Sequence, residues 1–244
     1  MTEAEGRGQL AALGLRGEAV ETLWAHFDDA ERRGKTGHGH SRIGWLATQR
    51  VDPDARPEKV ASLVGLDRWH GRGALGYLTL QAICDDLLGL DGAARVVVAE
   101  ACFPTGALGY WARQLAERAG LVALVTATSP RRLAHPDGGE ALTGTNPVAI
   151  AIPSPGGDAF VADVSMGAVT HGDVLAGRAS PEQLVPFGGA QAHKAFALAA
   201  GLELLVGAIA GPEHGAVVVV ARPEHDPVPA FRELAGGLRL PGDA

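Results

Sequence analysis

Residues 147–164 read PVAIAIPSPGGDAFVADV. Two apolar runs, 147–153 and 159–164, flank a short Ser-Pro-Gly-Gly connection. Short apolar runs bounded by Pro and Gly read as strands. A link this short cannot carry a crossover, which takes about a dozen residues, so the two strands are expected to be antiparallel. That pair argues against a purely parallel, doubly wound sheet. Working outward, Arg95–Val98, Leu121–Thr126 and Ala216–Ala221 read as further strands, and 57–66 as a short strand region. Helices are expected at 18–33, 77–88, 106–119, 194–210 and 228–238. In the first of these, Val20, Leu23, Trp24 and Phe27 keep helical spacing, while Arg32, Arg33 and Gly34 close it. Thr105 is a plausible N-cap and Gly120 a stop for the helix at 106–119. Strand and helix mix without strict alternation, so the expected class is mixed α/β, a largely antiparallel sheet with flanking helices.

Composition narrows the function. The chain has 244 residues, 46% hydrophobic and 20% charged, enough for one large core or two modest ones. A formal charge of −7 argues against non-specific nucleic-acid binding, which needs a basic footprint. Cys84 and Cys102 are too few for a disulfide scaffold or a four-cysteine zinc site and read as buried thiols of a reducing compartment. The nine histidines include no pair at helical metal spacing, so no metal site is expected. Residues 1–16 lack the apolar segment of a secretory signal. The apolar run 195–210 holds Glu203 and falls short of the roughly 18 residues that span a bilayer. A cytoplasmic protein is expected.

Two glycine-rich stretches carry candidate chemistry. Gly71-Arg72-Gly73-Ala74-Leu75-Gly76 matches GxGxxG, but a dinucleotide fingerprint needs a strand directly before it, and Asp67-Arg68-Trp69-His70 intervenes. It reads as a loop opening the next helix. Thr36-Gly37-His38-Gly39-His40-Ser41-Arg42 follows the first helix, in a polar loop over 35–44. Arg42 offers a fork to a carboxylate, and His38 titrates near neutrality, so the pair suits a carboxylate-bearing substrate that exchanges a proton. A solvated polar turn is the competing reading. The GxSxG and GxxxxGK[ST] patterns are absent.

The loop 36–42 is similar to the DSHGxSR motif of the malate/L-lactate dehydrogenase-2 family. Ser129-Pro130, Gly138-Gly139 and Gly144-Thr145-Asn146-Pro147 resemble that family's SP…GG…GTNP run, in order. Asp163-Val164-Ser165-Met166 through Gly172 resembles DMSTSAVARG. Pro186-Phe187-Gly188-Gly189, His193-Lys194 and Glu203-Leu204-Leu205 resemble PFGG…HK…ELL, and Leu240-Pro241-Gly242 a late LPG. The resemblance implies a non-Rossmann cofactor fold and an NADPH- or NADH-dependent reductase of 2-oxo acids or cyclic imino acids. It implies His38 as proton donor and Arg42 as carboxylate ligand. It further implies Thr145, Asn146, Asp163, Ser165, Gly188, Gly189, His193 and Lys194 along the cofactor, and a homodimer. NADPH is not separated from NADH, because Arg131, Arg132 and Arg178 are all candidates for the discriminating contact. On this basis 1–70 is an N-terminal substrate-loop region and 71–215 a cofactor-binding mixed-sheet region. Residues 216–244 would be a strand and helix returning to the N-terminal region.

The chain also departs from the pattern. Pro104 or Thr105 stands where the family carries a second histidine. Leu46 replaces an aromatic four residues after the arginine, with Trp45 adjacent. Thr36 replaces an aspartate, Ala195 a glycine, and the stretch between Gly172 and Pro186 is short. Either His38 carries the proton alone, or His40 substitutes, or the chain is a non-catalytic relative acting as a binding or partner subunit. Lacking the second histidine tilts the substrate toward an imine, which can arrive already protonated.

Overall fold

The computed structural model describes residues 1–243. It opens with helix α1 (Glu3–Ala12), begun by a capping box in which Thr2 and Glu5 satisfy each other's backbone N–H groups. Helix α2 (Glu18–Arg32) buries Val20, Leu23, Trp24 and Phe27 as their spacing predicts. The polar loop at 35–44 is more ordered than expected: a 3₁₀ turn at Thr36–His38 leads into helix α3 (Ser41–Leu46). The strand region at 57–66 is a hairpin of β1 (Glu58–Leu63) and β2 (Leu66–His70), turning at Gly65 with φ of 75°.

Strand β2 corrects one expectation. Asp67-Arg68-Trp69-His70 is strand, so the GxGxxG stretch does lie directly between a strand and helix α4 (Gly76–Leu87). Strand β3 (Ala94–Glu100) then pairs with β2 in parallel. Asp67 hid the strand because it is a buried acid, held by Ser62 at 2.6 Å and Lys59 at 3.3 Å. Gly76 seats α4 against the 102–104 segment, and Gly71 leaves room for the Ala101 carbonyl.

Helix α5 (Leu108–Ala119) ends on left-handed Gly120, and β4 (Val122–Ala127) follows. Its N-cap is Ala107, not Thr105, and makes no side-chain cap. A small hairpin of β5 (Leu133–His135) and β6 (Gly138–Thr143) stands apart from the main sheet. Strands β7 (Val148–Ile152) and β8 (Phe160–Val164) pair antiparallel, as the quoted stretch requires. Helix α6 (His171–Leu175) carries a capping box between Thr170 and Asp173. Helix α7 (Ala192–Ala210), strand β9 (Ala216–Ala221) and helix α8 (Val228–Ala235) complete the chain.

The main sheet runs β1-β2-β3-β9-β4-β7-β8, and every pairing in it except β2 with β3 is antiparallel. The class is therefore mixed α/β with a mostly antiparallel sheet. The sheet crosses the divisions at 70/71 and 215/216, since β2 pairs with β3 and β9 lies between β3 and β4. Strand β9 thus returns to the middle of the sheet, while α8 packs near its β8 edge through Phe231 on Phe160.

One sheet face presents Ala123, Val125, Ala149 and Ala151 to α5, where small side chains allow close approach by Trp111, Ala112 and Leu115. The other face is covered only in part. Helix α7 seats Val206 and Ala210 on Val98 and Val217, while Leu124, Ile150, Val219, Leu198 and Leu204 stay exposed. Together with the turn before it, this helix runs 22 residues at mean hydropathy 1.4, long and apolar enough by those measures to cross a membrane. The apolar segment is thus longer than the sequence reading allowed, yet it lies along the sheet.

His26 of α2 sits at 0% exposure among Phe27, Tyr77, Tyr110 and Trp111. Its Nε2 accepts the Ala107 N–H at 3.1 Å. Burial, with a smaller push from His38, lowers it to about 3. The unfolded chain therefore binds more protons than the folded one between pH 6.5 and about 3, and folding weakens as pH falls through that window. Urea unfolding should show the loss, on the order of 2 kcal/mol at pH 5 from this group alone. Stability that is flat or rising on acidification would contradict the assignment.

Candidate active site

The connections after α2, before α5 and after β8 converge on a cavity of about 270 Å³. One wall is the 34–38 turn with Arg42 and Trp45. The floor is 103–108, leading into α5. Thr128, Ser129 and Arg132 rise from the end of β4, while Thr145, Pro147, Asp163 and Ser165 come from the ends of β7 and β8. Residues 170–173 close the far side.

Two glycines fix this geometry. A Cβ on Gly172 would collide with the carbonyl of Gly37, so these backbones can touch only while residue 172 is glycine. His38 and His171 flank the contact, and both line the cavity. Farther in, Gly109 at the start of α5 leaves room for Asp163, whose Cβ would lie 2.8 Å from a Cβ there.

The electrostatics are unbalanced. Lys35 Nζ lies 2.5 Å from Asp163 Oδ2, so that acid is already paired. Asp173 accepts bonds from Thr170 and pairs with Arg178. Arg42 is only 8% exposed, yet its Nε and Nη1 are buried without a hydrogen-bond partner. Its guanidinium stacks on Trp45, 4.0 Å from the ring centroid, so the neighbouring aromatic supports it from one side. A buried, unpaired guanidinium is costly, and the cost is relieved when an anion enters. His38 also has a buried, unpartnered Nδ1. Burial first, then the Arg42 charge, push it down to about 4 against the pull of Asp163, so it is neutral at pH 7.

Five of the expected residues meet here: His38, Arg42, Thr145, Asp163 and Ser165. Asn146 does not face the cavity. It is fully buried, with Nδ2 donating to the Ala199 carbonyl at 3.0 Å and to Glu203 at 2.7 Å, so it ties the GTNP turn to α7. Gly188, Gly189, His193 and Lys194 lie exposed at the start of α7, outside the cavity lining. His40 is turned away as well, stacked on Trp24 with centroids 5.0 Å apart and Nε2 3.4 Å from Asp28. It is not the substitute for the second histidine. Sequence reasoning gave no role to Lys35, Ser129 or His171, and treated Arg132 only as one of three arginines.

The malate/L-lactate dehydrogenase family model matches residues 3–184. The chain belongs to that family. It is 30% identical to the (2R)-3-sulfolactate dehydrogenase (NADP(+)) of Chromohalobacter salexigens, over 96% of this chain and 63% of that protein. It is 34% identical to a Delta(1)-pyrroline-2-carboxylate/Delta(1)-piperideine-2-carboxylate reductase of Pseudomonas aeruginosa, over 74% of this chain and 62% of that one. The chain thus spans less than two thirds of the length of these relatives. Among solved structures, the delta1-piperideine-2-carboxylate reductase of Pseudomonas syringae superposes with a TM-score of 0.81 at 24% identity, covering 97% of this chain and 88% of that one. The malate dehydrogenase of Entamoeba histolytica gives 0.81 at 19% identity, covering 98% and 85%. These two establish the shared fold.

Proposed function

We infer that this chain is an NAD(P)H-dependent reductase of a small carboxylate-bearing substrate, acting on a C=O or C=N carbon beside the carboxylate. The observation that carries the reading is Arg42, whose Nε and Nη1 are buried without a partner and which shares one cavity with His38. The relatives' names, dehydrogenases and imino-acid reductases among them, point the same way.

The residues fit a nicotinamide cofactor. Ser129 Oγ is buried with no partner and lines the cavity beside Thr145 and Ser165, a set of hydroxyls suited to a carboxamide. Pro147 and Leu108 offer apolar contact to a ring. Gly188, Gly189, His193 and Lys194 sit at the start of α7, where free backbone N–H groups and a cation suit phosphates. The cofactor, when bound, supplies the hydride.

The protein's part is orientation and a proton. Arg42 holds the carboxylate in its fork and so fixes the adjacent carbon. Substrate charge offsets the Arg42 charge that helps hold His38 neutral. His38 therefore takes up a proton as substrate binds and delivers it to the reacting oxygen or nitrogen. His26 is buried behind the floor and serves packing, so His38 is the acid this reading uses.

Purified protein with NADPH or NADH and a panel of 2-oxo acids and cyclic imines should consume the cofactor's absorbance. The kcat/KM should fall as pH rises from 6 to 8. Arg42→Met should raise KM, and His38→Ala should cut kcat by about 10²–10⁴-fold. No absorbance loss across the panel, with no cofactor-induced rise in Tm, would contradict the reading.

The partly covered sheet face fits a homodimer in which a second copy covers Leu124, Ile150, Val219, Leu198 and Leu204. Light scattering after size exclusion should give twice the chain mass of 25.1 kDa, and Leu204→Lys should weaken that dimer. A monomeric wild type would overturn it.

A further inference from the structure

The cavity holds a second cation that the mechanism above does not use. Arg132 lines it, with its main chain fixed by an N–H bond to the Thr143 carbonyl at 2.8 Å. The next residue, Leu133, is 0% exposed and packs on Met166, Leu184 and Ala199. Arg132 directly precedes β5 and lines the cavity, within electrostatic reach of Arg42 and His171. Only burial and the Arg42 charge act on its guanidinium, with no hydrogen-bond partner among the described residues. The acids of the cavity are engaged elsewhere, Asp163 by Lys35 and Asp173 by Arg178. Arg42 and Arg132 are thus two guanidiniums in one cavity of about 270 Å³, with no carboxylate left to balance them.

We propose that the substrate is a dianion: Arg42 binds the carboxylate beside the reacting carbon, and Arg132 binds a second acidic group on the same small molecule. The proposal rests on the reductase reading for the first contact and adds the substrate class. Each guanidinium depresses groups around the other. Burial and then Arg42 lower Arg132, and burial followed by Arg132 and Arg42 lowers His171 to about 4. His171 is therefore neutral at pH 7 and leaves the excess positive charge to the two arginines. Sharing one small cavity favours the substrate over the 2′-phosphate of a dinucleotide, which sits at the adenosine end, far from the reacting carbon.

Calorimetry on cofactor-loaded protein tests this with succinate against butyrate. Succinate should bind at least 10-fold tighter, and Arg132→Met should erase the difference while leaving butyrate affinity within 3-fold. Arg132→Lys, which keeps the charge, should retain part of the preference. Turnover should follow, with kcat/KM for oxaloacetate above that for 2-oxobutyrate, and Arg132→Met should lower only the former. Equal binding of succinate and butyrate by the wild type would overturn the proposal. So would a loss in Arg132→Met that appears selectively in NADPH affinity, which would assign the residue to the cofactor phosphate. A succinate preference that depends on Arg132, without turnover of any substrate, would support the dianion site and remove the reductase reading instead.

Discussion

The contact between the backbones of Gly37 and Gly172 sets the site. Residue 37 belongs to the turn after α2, residue 172 to the first turn of α6, and more than a hundred residues of sheet and helix lie between them. Wherever those two glycines meet, His38 and His171 are brought to the same opening. Thr170 and Asp173 brace the same point, since both lie about 3 Å or less from where a Cβ on Gly37 would stand. Their capping box holds the α6 side of the contact, and the 3₁₀ turn holds the other. The rest of the fold supplies a rigid frame, with α5 close on alanine-rich strands and Asp163 seated against Gly109.

Charge within that frame follows from burial. An acidic chain places unpaired arginines in this cavity and satisfies its local acids with other partners. Lys35 matters here because it occupies Asp163, which would otherwise favour a charged His38. Burial and the two arginine charges thus keep the cavity's imidazoles neutral. A carboxylate held by Arg42 would offset the second of the two causes that keep His38 neutral, leaving burial as the first.

Much of this was legible in the sequence. The β7–β8 pair followed from two apolar runs and a link too short to cross over, and α2 from its apolar spacing. The strand β2 was missed because a buried acid, Asp67, breaks the apolar pattern, and only its partners Ser62 and Lys59 explain it. The β5–β6 hairpin is short and mostly exposed, with little apolar alternation to read. Helix α6 is five residues long, below the reach of periodicity, although Thr170 and Asp173 are a capping signal that could have marked it. At the site, motif order placed His38, Arg42, Thr145, Asp163 and Ser165 together. It could not tell that Asn146 points into the protein, because a turn residue's direction is decided by its tertiary partners, here Ala199 and Glu203. Lys35 and Arg132 belong to no motif, and their roles emerge only from which acids lie within reach.

The Gly37–Gly172 contact is tested by Gly172→Ala, read by melting temperature and by cofactor-dependent turnover together. The added methyl group must push the 170–173 turn away from Gly37 and so separate His171 and the α6 wall from His38. Since α6 is a short helix, a cooperative fold is expected with Tm lowered by no more than a few degrees, and kcat/KM reduced by at least about 10²-fold. A variant that folds and turns over substrate like the wild type would contradict it.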